Sequence, residues 1–218
     1  MNRLVLSLFF VLLASCSHIK SFSRPSGFSI LQGLTTENSA EFTILIDKGQ
    51  QGKFTVINPQ GETLAPEKME VVQNEHSSWA VHKIRFTNMV YSKENFQLIV
   101  EDTAGKRDQR AFHLFSNQGE TLKFAVGSCA DAKLRSEQKA MWSAIEAARP
   151  EWLFLIGDNF YVETDGPEAK SPEEIWEHYV DGRLSEGLYF WKELVPTYAV
   201  WDDNDYGQNN GNKTYTLK

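Results

Sequence analysis

The sequence predicts an antiparallel β-sandwich followed by an α/β domain. Short apolar runs separated by turn residues fill the chain from about residue 28 to residue 115, whereas strand-like and helix-like segments alternate further on. The length of 218 residues allows one large or two small domains, and a composition of 41% hydrophobic and 23% charged residues is typical of globular proteins. The net charge of −7 argues against a nucleic-acid-binding surface, because phosphate backbones bind basic surfaces.

The N-terminal segment has the pattern of an export signal. A basic start is followed by an apolar run over residues 4–14, which is too short to span a membrane comfortably. The run ends at Leu13-Ala14-Ser15-Cys16, which resembles the lipobox where bacterial lipoprotein precursors are cleaved before an acylated cysteine. We therefore predict a lipoprotein signal over residues 1–16, lipidation of Cys16 and a tether over residues 17–27. A plain secretory signal is the alternative.

Residues 28–116 predict a β-sandwich of immunoglobulin or fibronectin type III kind. Residues 81–86 alternate apolar and polar side chains, as a strand with one face on a core does. Turn sequences such as Asn58-Pro59-Gln60-Gly61 separate the strand candidates. The candidates are Phe28–Leu34, Ala40–Asp47, Gly52–Asn58, Lys68–Gln73, Trp79–Thr87, Phe96–Asp102 and Gln109–Phe115.

A domain boundary is predicted at residues 116–119, where strands begin to alternate with helices. Residues 119–218 contain three strand candidates and several helical stretches, in the order β-α-β-α-β. Ser171-Pro172-Glu173-Glu174 is a strong helix start with a capping box. Right-handed crossovers place the carboxyl ends of parallel strands at one edge of the sheet, where open α/β sheets bind ligands. The strand candidates are 122–126, 152–156 and 196–201, and the helical stretches are 136–149, a helix after Ser171, and 186–194.

Side chains that can bind metals follow each predicted strand of this half. They lie in Gly127-Ser128-Cys129, in Gly157-Asp158-Asn159-Phe160-Tyr161 and in Trp201-Asp202-Asp203-Asn204-Asp205. A thiolate suits iron or zinc, a carboxylate can bridge two cations, and a phenolate binds Fe³⁺. Carboxylates so close together repel one another unless cations neutralise them. The pattern predicts one metal site, and the alternatives are an Asx-rich turn for the acidic run and simple packing for Tyr161.

Together these motifs resemble those of the PhoD-like alkaline phosphatase and phosphodiesterase family of the metallophosphatase superfamily. The segment Gly157–Tyr161 matches the Gly-Asp-x-x-Tyr motif of iron-dependent metallophosphatases. Members of the family are exported and carry an N-terminal β-sandwich before the metallophosphatase domain. The resemblance extends from about residue 28 to the end of the sequence, and it implies an α/β metallophosphatase-like fold for the second half.

The resemblance also implies a centre that contains Fe³⁺ and Ca²⁺. Cys129, Asp158 and Tyr161 would hold Fe³⁺, and Asp158 would bridge to Ca²⁺. Asp203, together with Asn209 or Asn210, would complete the divalent side. The implied reaction is the hydrolysis of phosphomonoesters or phosphodiesters. The expected partners are a phosphate ester substrate and the membrane, through a lipid anchor in the bacterial cell envelope on the periplasmic or outer-membrane side.

Two features differ from the pattern of the family. Its members usually have Trp-Asp-Asp-His followed by Asp or Glu, whereas Asn204 stands at the histidine position here, so no catalytic residue is assigned. Further ligands of the family lie downstream, whereas this sequence ends at Lys218. We therefore expect residues 119–218 to form only the N-terminal half of the metallophosphatase domain, with a truncated C-terminus.

Two other functions stay open at this point. One is a non-catalytic surface lipoprotein, in which the sandwich binds a partner or a glycan and the α/β part is a degenerate or truncated remnant. The other is a hydrolase that uses Cys129 as its nucleophile, which needs a nearby general base. If Cys16 carries lipid, Cys129 is the one remaining thiol, so no intramolecular disulfide can form.

Overall fold

The computed structural model describes residues 26–115, 121–131, 135–161, 171–207 and 209–211. These ranges contain three β-sheets and two α-helices. The predicted signal, the predicted lipidation site Cys16, most of the predicted tether and the boundary at residues 116–119 lie outside them. No helix in the described part of the chain is both long and apolar enough to cross a membrane.

The first half forms two four-stranded antiparallel sheets, so the prediction of an antiparallel β-sandwich is confirmed. The strands are β1 (Ser29–Thr35), β2 (Ala40–Asp47), β3 (Gly52–Ile57), β4 (Thr63–Leu64), β5 (Lys68–Gln73), β6 (Trp79–Phe86), β7 (Phe96–Asp102) and β8 (Arg107–Phe112). The strand orders are β1-β2-β6-β5 and β4-β3-β7-β8. The sequence does not predict the short strand β4, because two residues are too few to show an alternating pattern.

Aromatic and aliphatic side chains from both sheets form the core of the sandwich. The rings of Phe42 and Phe112 meet edge to face, with centroids 5.0 Å apart. Along β6 the side chains of Ala80, His82, Ile84 and Phe86 are buried and alternate with more exposed neighbours. This alternation is the predicted one for residues 83–86, whereas at the start of the pattern the polar His82 is buried and the apolar Val81 is only half-buried. The buried face fixes the register of the strand.

The second half contains a three-stranded parallel sheet in the order β11-β10-β9. Its strands are β9 (Phe124–Gly127), β10 (Trp152–Ile156) and β11 (Thr197–Val200), joined through α1 (Arg135–Ala148) and α2 (Pro172–Ser185). The predicted capping box is present at α2. The Ser171 hydroxyl accepts a hydrogen bond from the N–H of Glu174, and the Glu174 carboxylate accepts one from the N–H of Ser171.

The prediction of a helical stretch over residues 186–194 is correct for one short turn only. Only Gly187–Phe190 forms a 3-10 helix. The chain then becomes extended because it pairs with the first half: the N–H of Ala111 donates to the carbonyl of Lys192 at 2.9 Å, and the N–H of Leu194 donates to the carbonyl of Ala111 at 2.7 Å. Tertiary pairing with β8 therefore overrides the local helical preference.

One face of the parallel sheet is open in the described part of the chain, although the apolar run of β10 predicts cover on both faces. On the inner face, Leu153 and Leu155 pack in one cluster with Trp142 of α1. On the other face, Trp152 stacks on Tyr198 with a centroid distance of 5.1 Å. The most exposed large apolar side chains of these strands are Phe124, Ile156 and Val200, at 57%, 57% and 58%. Met141 and Ala148 of α1 are also exposed.

A buried ion pair joins the two halves. Arg110 is fully buried, and its Nη2 lies 2.6 Å from Asp108 Oδ2. The guanidinium also donates to the carbonyls of Trp191, at 2.5 Å, and Phe28, at 3.2 Å. Burial by itself would raise the pKa of Asp108, but the hydrogen bond and charge of Arg110 outweigh it, with help from the Phe28 N–H and Lys192, so this pKa lies below its ordinary value. These contacts attach the segment that leads into β11 to the sandwich.

Candidate metal centre

The loops after β9, β10 and β11 lie at one edge of the parallel sheet, as predicted. Both neighbours of β10 run parallel to it, so the carboxyl ends of all three strands point the same way. Backbone hydrogen bonds join the first two loops: Cys129 N–H donates to the carbonyl of Gly157 at 3.3 Å, and Ala130 N–H to that of Asp158 at 2.9 Å. The backbone thus brings Cys129 beside Asp158.

Cys129, Asp158 and Tyr161, which the resemblance implies as ligands of one cation, lie next to one another. The Sγ atom of Cys129 lies 3.9 Å from Oδ2 of Asp158. The Tyr161 hydroxyl lies within hydrogen-bonding range of Cys129 and of Asp158. The hydrogen bond to Cys129 raises the pKa of Tyr161 most, followed by burial and by the hydrogen bond and charge of Asp158. The phenol therefore keeps its proton until a cation takes the proton's place.

Asp158 also belongs to a second group, with Asp202 and Asp203. One carboxylate oxygen from each lies within 4.8 Å of those of the other two. Asp203 is one of the predicted ligands, whereas the sequence assigns no separate role to Asp202. Asn210 contacts this group through its backbone N–H, which donates to Oδ2 of Asp203. Asp158 is thus the residue that the two groups share.

The backbone is strained at three of the predicted ligands. Cys129, Asp158 and Asn210 have φ values of 58°, 50° and 56°, in the left-handed region that residues with a side chain seldom adopt. Such conformations cost about 1–3 kcal/mol each and concentrate at functional sites. Gly157, which directly precedes Asp158, has a φ of 109°, and a Cβ atom there would lie 2.6 Å from Cβ of Asp202. The loops can therefore approach this closely only with glycine at position 157.

The donor set fits the cations that the resemblance implies. Oδ1 of Asp158 is buried and has no hydrogen-bond partner among the described residues, which a bound cation would supply. The Cys129 thiol and the Tyr161 phenol, which lie beside Asp158, are ligands that suit iron. The carboxylates of Asp202 and Asp203, which group with that of Asp158, suit a hard divalent ion such as Ca²⁺. The side chains present therefore suit both of the implied cations.

Two residues of the third loop have positions that the sequence did not reveal. Asn204, which the resemblance places at a histidine position, is 4% exposed, and its Oδ1 has no hydrogen-bond partner in the described ranges. Asp205 is 2% exposed, and its carboxylate accepts hydrogen bonds from backbone and side-chain donors of the second and third loops. No sequence signal separates Asp205 from Asp202 and Asp203, because all three are acids of one short loop.

Gly182→Ala in α2 is expected to lower the free energy of unfolding by about 1–3 kcal/mol, because a methyl group at this position would overlap the ring of Phe160 in the second loop. Helix propensity alone predicts the opposite sign, since Ala is favoured over Gly by about 1 kcal/mol. Urea unfolding measures the difference. Gly187→Ala is the matched control, because a Cβ there lies 3.5 Å from Cβ of Trp142, an ordinary contact. A Gly182→Ala protein at least as stable as the parent would rule out this packing.

Comparisons with known proteins assign no family to the chain. No protein-family model matches it, and a comparison with curated proteins finds no match. Among solved structures, a DUF4426 family protein from Pseudomonas aeruginosa is similar, with 11% identity and a TM-score of 0.24. The likeness covers 37% of this chain and 70% of that protein, and at this level it assigns neither fold nor function.

Proposed function

We propose that this protein is a metal-dependent phosphoester hydrolase of the PhoD type, exported and anchored by lipid at Cys16. The observation that carries the proposal is the position of Asp158, which contacts Cys129 and Tyr161 and lies within 4.8 Å of Asp202 and Asp203. The fold that belongs to this function is an immunoglobulin- or fibronectin-like sandwich followed by a metallophosphatase-like α/β domain.

In this proposal Cys129, Asp158 and Tyr161 would hold Fe³⁺, and Asp158 would also serve as a ligand of Ca²⁺. Asp202 joins Asp203 on the Ca²⁺ side, where Asn210 orients Asp203 through its N–H. When bound, the cations would polarise the phosphoryl oxygens and neutralise the charge that develops on them.

The charge of the site makes cations necessary for a phosphate ester. Asp158, Asp202 and Asp203 bring three carboxylates together at the edge of the sheet, and a phosphate ester is itself an anion. Like charges at this separation repel, so the substrate can approach only when cations neutralise the carboxylates. The carboxylates thereby couple substrate binding to metal binding.

Turnover by the full chain tests the proposed function. The protein, dialysed against Fe³⁺ and Ca²⁺, is expected to hydrolyse p-nitrophenyl phosphate or its bis-ester, and chelation should remove the activity. The ratio of the two rates reports the preference for monoesters or diesters. A protein that takes up neither metal and hydrolyses neither ester would refute the proposal and favour the non-catalytic lipoprotein.

Bound metal is expected to protect Cys129 from alkylation by iodoacetamide. The thiol is exposed in the structure, so the metal-free protein should react, whereas a thiolate held by Fe³⁺ is blocked. Mass spectrometry of the labelled peptide measures the rate, which should fall at least several-fold on loading. In Asp158→Asn, added metal should give no protection. A protein that is active without metal and loses its activity on alkylation would instead point to Cys129 as a nucleophile.

A further inference from the structure

Asp205 is a buried carboxylate that accepts all its described hydrogen bonds from neutral donors. Its Oδ1 accepts from the N–H of Asn159 at 2.9 Å, from the N–H of Phe160 at 3.3 Å and from the hydroxyl of Tyr179 at 3.0 Å. Its Oδ2 accepts from the N–H of Asp202 at 2.9 Å and from the side-chain amide of Asn159 at 3.3 Å. One side chain thus connects the second loop, the third loop and α2.

The loop residues that donate hydrogen bonds to Asp205 are either proposed metal ligands or direct sequence neighbours of one. Asn159 follows Asp158 directly, Phe160 precedes Tyr161, and Asp202 is itself a member of the carboxylate group. Asp205 itself does not belong to the group of carboxylates whose oxygens lie within 4.8 Å of one another. It therefore acts on the ligands through the backbone to which they are attached.

We propose that Asp205 is the positioning residue of the metal centre, which fixes the second and third loops so that Asp158, Tyr161 and Asp202 converge on common cations. The proposal rests on the function proposed above and extends it to a residue outside the set of ligands. Asp158 has a left-handed φ of 50°, and the hydrogen bond from the next peptide N–H to Asp205 holds that strained turn. Residues that orient ligands in this way set metal affinity.

Tyr179 and Asn159 support Asp205 from two directions. Burial, followed by the charge and hydrogen bond of Asp205, raises the pKa of Tyr179, so its hydroxyl remains a donor at physiological pH. The ring of Tyr179 also packs edge to face on Phe160, with centroids 4.6 Å apart. The Asn159 amide donates to the carbonyl of Val200 at 2.8 Å, which ties the second loop to the end of β11. The network is therefore anchored in both α2 and the sheet.

Asp205→Asn tests the proposal, because it keeps the size of the side chain but replaces one acceptor oxygen by a donor that faces other donors. We expect the folded variant to bind Ca²⁺ about 10–100-fold more weakly than the parent in calorimetric titration. Its Fe³⁺ charge-transfer spectrum should also change. Asp181→Asn is the control, since Asp181 is an exposed acid on α2, and it should bind as the parent does. A role in stability alone would lower the unfolding midpoint and leave the affinity of the folded protein unchanged.

Tyr179→Phe keeps the proposal testable if Asp205→Asn does not fold. This variant removes one donor to Asp205 and keeps the ring that packs on Phe160, so a several-fold loss of Ca²⁺ affinity is expected. Parent-like affinity in folded Asp205→Asn, or in Tyr179→Phe when Asp205→Asn does not fold, would overturn the positioning role and leave the proposed function intact. A parent protein that binds neither Ca²⁺ nor Fe³⁺ would overturn both.

Discussion

Asp158→Asn is expected to abolish binding of both metals and to lower phosphoester turnover by at least about 100-fold. Asp158 is the one residue in both ligand groups, and its Oδ1 is buried without a hydrogen-bond partner among the described residues. The amide has nearly the same volume, but it carries no charge and offers a single oxygen. The substitution therefore removes the carboxylate that the two groups share and leaves the packing of the loop in place.

Metal content by elemental analysis and turnover of p-nitrophenyl phosphate measure this effect. The control is Asp47→Asn, because Asp47 is an exposed acid at the end of β2 in the sandwich. It should keep the metal content and the activity of the parent. An Asp158→Asn protein that retained both metals, or that turned over the ester at the parental rate, would show that the centre lies elsewhere.

Arg110→Met is expected to lower the free energy of unfolding by about 3–5 kcal/mol, the cost of leaving a buried charge without its partner. Asp108 would stay buried, with only the Phe28 N–H, its neighbouring backbone and Lys192 beside it. The carbonyl of Trp191 would also lose its donor, which weakens the contact between the two halves.

Arg107→Met on the same strand is the matched control. Its guanidinium pairs with Glu101 at 3.0 Å in an exposed position, and such pairs contribute about 0–1 kcal/mol. Urea unfolding of both variants measures the difference. Equal and small losses would contradict the structural importance of the buried pair.

The effect of Arg110→Met should depend on pH in one direction. In the parent, the lowered pKa of Asp108 contributes stability that is present above the unfolded value, about 4, and is lost as the pH falls through the folded value. In the variant this contribution is missing. The two unfolding free energies should therefore converge as the pH falls below about 4, whereas a gap that widened there would be the wrong sign.

The strands of the sandwich could be predicted from sequence because their signal is local. The run Ala40–Asp47 alternates, ends at turn residues and forms β2 with the predicted bounds. The same is true of Ser171, whose capping role depends on residues three positions away. The extended pairing of Lys192 and Leu194 with Ala111 was not predictable, because it joins residues that are distant in the chain.

The candidate site shows the same limit. Parallel strands bring their carboxyl ends together, so the approach of Cys129 to Asp158 could be expected from the strand order alone. The different positions of Asp202 and Asp205 within the third loop could not be predicted, because both residues are aspartates of one short segment. Only the fold decides that Asp202 faces the other carboxylates while Asp205 is buried against the second loop.

The visible absorption spectrum of the full chain loaded with Fe³⁺ is the most direct test of the metal centre. Coordination by the phenolate of Tyr161 and the thiolate of Cys129 gives ligand-to-metal charge-transfer bands that carboxylate ligands do not give. We predict stoichiometric Fe³⁺ and a visible band that shifts or disappears in Tyr161→Phe and is unchanged in Tyr91→Phe, the exposed control. A chain that binds no Fe³⁺, or a band that Tyr161→Phe leaves unchanged, would contradict the proposed centre.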